Sequence, residues 1–262
     1  MKRPLNPPGR TNNPTGYRPN PLMQTTPAPT REGKFSTLLQ AESQTIAAWT
    51  KDWNARRVAG HLGIIILGAG CFGAAMGWWR SPEQGMFVAI KFPLILLLTT
   101  LGNAALNAML APLLGLNLSL RQSLLAILMS FAITAAILGA FSPLLGFLVW
   151  NAPPMTPDVK STATYGFIKL ANVVVIAFAG IAGNARLYQL LRQLASHRRI
   201  ARRVFVAWLA GNLFLGSQLS WMARPFIGSP QLPVVFLRAD ALKGNFYENV
   251  WSTLVELTRI DD

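Results

Sequence analysis

From Ala59 onward the chain alternates long apolar stretches with short polar breaks. The stretches Ala59–Trp79, Val88–Leu114, Gln122–Trp150, Tyr165–Leu191 and Val204–Met222 are each long enough to cross a bilayer, which takes about 20 mostly apolar residues as an α-helix. None contains Asp or Glu. The pattern predicts an all-α membrane protein with five transmembrane helices over 59–222. It lacks the carboxylates that proton- and cation-coupled transporters place at bilayer depth. Pro93 falls in the first turns of the second stretch, where proline is tolerated. Pro112 near its end predicts a kink or turn, and Ser142-Pro143 predicts a bend late in the third.

The flanks have different patterns. Residues 1–34 are rich in Pro, Asn and Thr and poor in apolar side chains, so they predict a disordered tail. That tail is either simply solvated or a docking arm around Tyr17-Arg18-Pro19 and Asn20-Pro21. Over 35–58, Phe35, Leu38, Leu39, Ile46, Trp49 and Trp53 recur at helical steps and lead into Lys51, Arg56 and Arg57. This predicts an amphipathic helix in the membrane interface, with packing on a partner subunit as the rival reading. The last segment, 223–262, opens with the turn-rich Arg224-Pro225-Phe226-Ile227-Gly228-Ser229-Pro230 and a short apolar piece, Leu232–Leu237. Asn245 then caps a final helix, with Glu248 three residues on in capping-box spacing. That helix carries Phe246, Tyr247, Val250, Trp251, Leu254 and Val255 on one face, and either lies on the outer membrane surface or folds over the ends of the spans. No internal repeat is evident.

Composition agrees with lipid as the main solvent: 52% of the 262 residues are hydrophobic and 13% charged. A net charge of +14 raises nucleic acid as a partner. The basic residues, however, sit mostly outside the spans and on alternate sides of them, with no basic groove of interleaved aromatics, so topology accounts for them and nucleic acid does not. Most of the 24 Lys and Arg fall on the N-terminal side of the membrane, which places the N-terminus in the cytoplasm, the C-terminus outside, and the chain in the plasma (inner) membrane. Arg192, Arg198, Arg199, Arg202 and Arg203, with His197 among them, form the densest positive patch. They predict a basic inner loop lying on the anionic inner leaflet. Lys91 and Lys169 are near the outer ends of their spans and read as snorkelling anchors rather than ligands.

Candidate chemistry is sparse. Gly68-Ala69-Gly70-Cys71-Phe72-Gly73 spells a dinucleotide fingerprint, but it lies mid-span with no strand before it and no acid at the right distance after it. Ala69, Gly73 and Gly77, four residues apart, read instead as a small-residue packing face. The more suggestive feature is a set of intramembrane amides, Asn103, Asn107, Asn172 and Asn212. Thr99 or Thr100 lies one turn from Asn103, Asn184 shares the fourth span, and Gly216 and Ser220 continue the line of Asn212. Either they make interhelical hydrogen bonds or they line a polar cavity for a neutral solute or lipid headgroup. Cys71 is the lone cysteine and allows no intramolecular disulfide. His61 and His197 belong to no metal-binding spacing, and no nucleophile elbow, phosphate loop or carboxylate pair occurs. No enzyme activity, cofactor or metal is therefore expected.

The segment Leu219-Ser220-Trp221-Met222-Ala223-Arg224-Pro225-Phe226-Ile227-Gly228, with Pro230, Pro233, Phe236, Arg238 and Gly244-Asn245-Phe246-Tyr247 beyond it, resembles the C-terminal part of a group of bacterial multi-spanning membrane proteins. Members are labelled as actin-binding WASP-homology proteins or as relatives of the Yip-type membrane family. Yip-type proteins share the five-span layout with a cytoplasmic N-terminus, but their Asp-Leu-Tyr-Gly-Pro signature is missing from this chain. Before Leu219 the similarity is one of layout alone. The resemblance implies a bacterial inner-membrane protein and supplies no site residues. The expected role is a non-enzymatic scaffold, assembly factor or partner-binding subunit, with a protein partner or a second copy alongside the anionic inner-leaflet lipids. The alternative is a permease or channel for a neutral solute or lipid, using the Asn103/Asn107 face against Asn172 and Asn212. An envelope sensor relaying outer contacts to the arginine-rich loop is a third reading.

Overall fold

Lipid offers no partner to a backbone N–H or C=O, so only helices and closed barrels span it. In the computed structural model, which describes residues 54–155, 163–228 and 232–259, every regular element is a helix. Five are long: α1 (Ala55–Trp78), α2 (Pro82–Leu113), α3 (Leu120–Trp150), α4 (Ala163–Leu194) and α5 (Arg198–Met222). A shorter α6 (Phe246–Arg259) follows. All five long helices are apolar enough to cross a membrane, so the chain has the all-α, five-span architecture of a multi-pass membrane protein. The tail over 1–34 and nearly all of the juxtamembrane segment 35–58 lie outside the described residues.

The helices outrun the apolar stretches. At about 1.5 Å per residue the longest reach roughly 48 Å, against a hydrocarbon core of about 30 Å. Hydropathy marks only the part in lipid, whereas capping chemistry sets the ends. Asn54 Oδ1 accepts from Arg56 N at 2.9 Å before α1, and Ser81 Oγ accepts from Gln84 N at 3.1 Å before Pro82, the first residue of α2. Ser119 and Gln122 form a reciprocal capping box at α3, with Gln122 N to Ser119 Oγ at 3.3 Å and Ser119 N to Gln122 Oε1 at 3.0 Å. Past Pro112, α2 ends in a left-handed turn at Gly115 (φ +88°). There Leu116 N bonds to Ala111 O at 2.9 Å and Gly115 N to Pro112 O at 3.0 Å. Pro143 leaves the Gly139 carbonyl without its helical donor, and the Ser142 hydroxyl supplies one at 2.7 Å, so α3 continues through the proline.

In the bundle, α1 is packed between α2 and α3, α4 lies against α3, and α5 lies against α2 and α4. Small residues set how closely α1 approaches its neighbours. A Cβ on Gly73 would lie 2.6 Å from Val88 O, and one on Gly77 would lie 2.6 Å from Gln84 O, so these two face α2. Ala69 is fully buried in a cluster with Ile65, Leu128, Ala132 and Ala135, and so faces α3. Gly68 also faces α3, where a Cβ on Gly139 would lie 2.8 Å from Gly68 Cα. The mid-span glycine string therefore carries two packing faces within one chain.

The bundle has two distinct ends. One holds the start of α1 and the α2–α3 and α4–α5 connections; we call it the arginine end. The predicted basic loop there is not a loop. Arg192 lies in the last turn of α4, only 195–197 connect the helices, and Arg198, Arg199, Arg202 and Arg203 form the first turns of α5, all five exposed. At the opposite end, the segment following α5 folds back over the helix termini; we call it the capped end. Residue 54 and residue 223 lie at opposite ends, as an odd number of crossings requires.

Gly73→Ala should destabilise the protein by about 1–3 kcal/mol through overpacking against Val88. Gly146→Ala, where a Cβ meets nothing within 4 Å, should be neutral apart from helix propensity. Paired melting curves in mild detergent check this; equal curves would contradict the close α1–α2 contact.

Candidate binding cavity

The polar face predicted for α2 points into the bundle: Thr99, Thr100, Asn103 and Asn107 are each at most 2% exposed. Asn103 makes the interhelical bond. Its Nδ2 donates to Trp208 O of α5 at 3.2 Å and to Asn212 Oδ1. Asn107 Nδ2 donates back to Asn103 O at 2.8 Å and to Asn103 Oδ1 at 2.7 Å. Gly211 leaves room for this clamp, because a Cβ there would collide with Asn103 Oδ1. Thus three of the four predicted amides form one connected group, a pin between α2 and α5. Asn172 is not part of it; its Nδ2 donates to Ile168 O within α4 at 2.8 Å.

On the arginine-end side of the pin, α5 is tightly held. Ala201, Val204 and Trp208 are fully buried against Leu187, Leu190 and Leu191 of α4, and Tyr188 packs on Phe205 at 5.1 Å. On the capped side, the core cluster contains residues of α1, α2, α3, α4 and the cap but none of α5. The two helices diverge there, and a cavity of about 760 Å³ occupies the gap. Its walls are Thr99, Ile95 and Leu96 of α2; Ser130, Phe131 and Thr134 of α3; Lys169, Asn172, Val173, Ile176, Gly180 and Asn184 of α4; and Leu209, Asn212, Leu213, Gly216 and Ser220 of α5. Val173 (55% exposed) and Leu213 (64%) form its flank, so the cavity opens sideways between α4 and α5.

The wall holds polar atoms that the protein does not satisfy. Asn172 and Asn184 each spend Nδ2 on a carbonyl of their own helix, at 2.8 Å, and their Oδ1 atoms have no partner among the described residues; nor has Thr99 Oγ1. Thr134 is satisfied, donating to Ser130 O at 3.1 Å and Ala179 O at 3.3 Å where Gly183 lets α3 and α4 touch. Each such buried group costs about 1–3 kcal/mol, and these three atoms are closed off from the cavity space itself.

Residues of the cap roof the cavity: Arg224, Pro225, Phe226, Ile227, Gly228 and Arg238. Two donors from α2 hold this roof in place. Gln84 Nε2 donates to Pro225 O and Phe226 O, both at 2.9 Å, and Lys91 Nζ donates to Pro225 O at 3.1 Å while lying 5.0 Å from the Phe236 ring centre. Lys91 is 1% exposed, so it is not the snorkelling anchor expected from its position: the cap covers it before it can reach the interface. Trp79 Nε1 to Pro153 O at 3.0 Å and Arg80 to Leu232 O at 3.2 Å tie further loops to the same end. Lys169 is exposed and lines the cavity. α6 starts beside α5, where Tyr247 OH lies 2.7 Å from Ser217 Oγ and its ring stacks on Phe214 at 5.4 Å. Asn245 Oδ1 accepts from Glu248 N at 2.8 Å as the cap, and Asn245 Nδ2 donates to Glu248 Oε2 at 3.1 Å, a side-chain contact instead of the capping-box bond to the backbone N–H.

Among the lining residues there is no carboxylate, histidine or cysteine, and among the described residues no His/Cys/Asp/Glu group could hold a metal. The polar groups that the lining offers are amides, hydroxyls and cations. Comparison with protein-family models, curated proteins and solved structures finds no match.

The sequence pointed to Asn172, Asn184, Asn212, Gly216 and Ser220. It did not mark Ser130 and Thr134, although their four-residue spacing on a buried helix face was readable, nor Arg238, which reaches the cavity only because the cap folds back. Replacing Asn103 by Leu should cost about 1–3 kcal/mol by removing the donor to Asn212 and one of the two acceptors of Asn107. A double-mutant cycle between Asn103→Leu and Asn212→Leu should give a coupling of about 0.5–1.5 kcal/mol in detergent melts; additive effects would separate the two amides.

Proposed function

We propose that this multi-pass membrane protein binds an amphiphilic, lipid-like molecule in the cavity between α4 and α5, without converting it chemically. The observation that carries the reading is the divergence of α5 from α4 beyond Trp208, which leaves a space of binding-site size. Known ligand sites run from about 300 to 1,000 Å³ and combine apolar walls with a few polar groups, as here. The sideways opening at Val173 and Leu213 favours a ligand arriving from lipid over one crossing from water to water. This is the lipid branch of the permease-or-channel alternative. A scaffold or assembly role rests instead on the surfaces around the bundle and makes no use of an internal cavity.

The proposed setting is a bacterial inner membrane with the arginine end in the cytoplasm. Exposed Arg192, Arg198, Arg199, Arg202 and Arg203 at that end support it, since cations concentrate on the cytoplasmic side. The resemblance of the segment from Leu219 onward supports a bacterial source.

Filling the cavity tests the reading. Gly216 lines it, and a Cβ there makes only ordinary contact, 3.8 Å from the Thr99 side chain, so a side chain can be started into the cavity from this position. Native mass spectrometry of the protein released from membranes should show one or more retained lipids, reduced about tenfold in Gly216→Phe at an unchanged melting temperature. Lipid-free parent protein, or equal retention by the variant, would remove the cavity as the site.

A further inference from the structure

Three cations stand at one end of this cavity. Lys169 comes from the second turn of α4, Arg224 directly follows α5, and Arg238 comes from the cap. Arg224 is anchored: its guanidinium stacks on Trp221 at 3.6 Å, donates to Trp221 O at 3.3 Å and pairs with Asp240 at 3.5 Å. The side chains of Lys169 and Arg238 have no hydrogen-bond or ion-pair partner among the described residues. Asp240, half-exposed, lies outside the cavity lining. Asp240 offsets Arg224, so among the described residues the charges of Lys169 and Arg238 are left without a counter-charge at this end, a place that an anion fills.

The other end of the cavity has a different character. From Lys169 to Asn184 it follows α4 for 15 residues, about 22 Å, past Val173, Ile176 and Gly180. A small anion would fill only the cationic end and leave that length empty. An amphiphile with an anionic head and an apolar tail matches both parts. We propose that the occupant is a lipid with a phosphate-type anionic headgroup, the phosphate held by Lys169, Arg224 and Arg238 under the cap and the acyl or isoprenoid tail lying between α4 and α5. This rests on the cavity reading above and adds the charge and direction of the ligand.

The test exchanges lipid on the full-length protein in nanodiscs of phosphatidylglycerol and phosphatidylcholine, read by native mass spectrometry after release. The parent should retain phosphatidylglycerol over phosphatidylcholine by roughly tenfold or more, as two or three cations near a phosphate would give. Lys169→Gln with Arg238→Gln should bring that ratio close to one while total retained lipid and melting temperature hold. Lys169→Gln alone, at an exposed side chain, serves if the pair misfolds and should lower the ratio severalfold. Millimolar inorganic phosphate should leave the retained lipid in place.

Equal retention of both lipids by the parent overturns the anionic head and leaves the cavity reading standing, provided Gly216→Phe still excludes both. Retention of neither removes the cavity reading itself. A preference that survives both substitutions assigns it to another surface, such as the arginine end, and overturns the proposal. Displacement by inorganic phosphate makes the site one for free phosphate and overturns the lipid.

Discussion

Hydrocarbon supplies no hydrogen-bond partner, and that constraint decides how this bundle closes. Each intramembrane amide must turn to its own helix or to a neighbour. Asn172 and Asn184 turn inward on α4, donating to the carbonyl four residues back, and so bind nothing across the bundle. Asn103 does the opposite, reaching Trp208 O and Asn212 of α5 while accepting from Asn107. The difference fixes the geometry. α5 is pinned to α2 at mid-helix and packed on α4 at the arginine end, but among the described residues no hydrogen bond joins its capped half to α4. The cavity is what remains between a helix that has been pinned and one whose amide donors stay within it.

The cap depends on the same constraint. Gln84 and Lys91 are buried donors in the first three turns of α2, and carbonyls of Pro225 and Phe226 are what they find. A charged ammonium with one carbonyl and an aromatic face is costly to bury, so removing the cap would expose it as well as unroof the cavity. Gly228, at φ +83°, lets the segment turn back across Arg80 toward the helix ends. The roof of the site and the polar satisfaction of α2 are thus one structure, which ties the segment after α5 to the bundle rather than leaving it on the membrane surface.

What could be read in the sequence follows from what hydropathy reports. It reports the solvent of a side chain, so the five crossings, the inward face of Asn103 and Asn107, and the close-packing role of Gly73 and Gly77 were all visible. It does not report neighbours. Ala69, Gly73 and Gly77 read as one face but divide between α3 and α2, and Lys91 read as a lipid-facing anchor because nothing local reveals that Pro225 lies above it. The arginine patch read as a loop because charge interrupts hydropathy, although Arg, unlike Gly or Pro, does not interrupt a helix. The divergence of α5 from α4 has no local signal at all, since it depends on a contact that is not made.

Charge closes the argument. Arg198, Arg199, Arg202 and Arg203 begin α5, where the helix dipole presents its positive end and cations are disfavoured by some tenths of a kcal/mol each, on the order of 0.3–1. Their neighbour His197 gives no side-chain cap to offset this. At the other end of the same helix, Arg224 stands at the favourable pole, with Lys169 and Arg238 nearby across the cavity mouth. A chain of net charge +14 with an acid-free interior cannot balance these cations from within its spans. Asp240 of the cap balances Arg224; for the other cations of the two ends the counter-charge comes from outside the bundle. In a membrane the abundant anion at both interfaces is phosphate, spread as a surface at the arginine end and, on the reading given above, held singly in the cavity at the capped end.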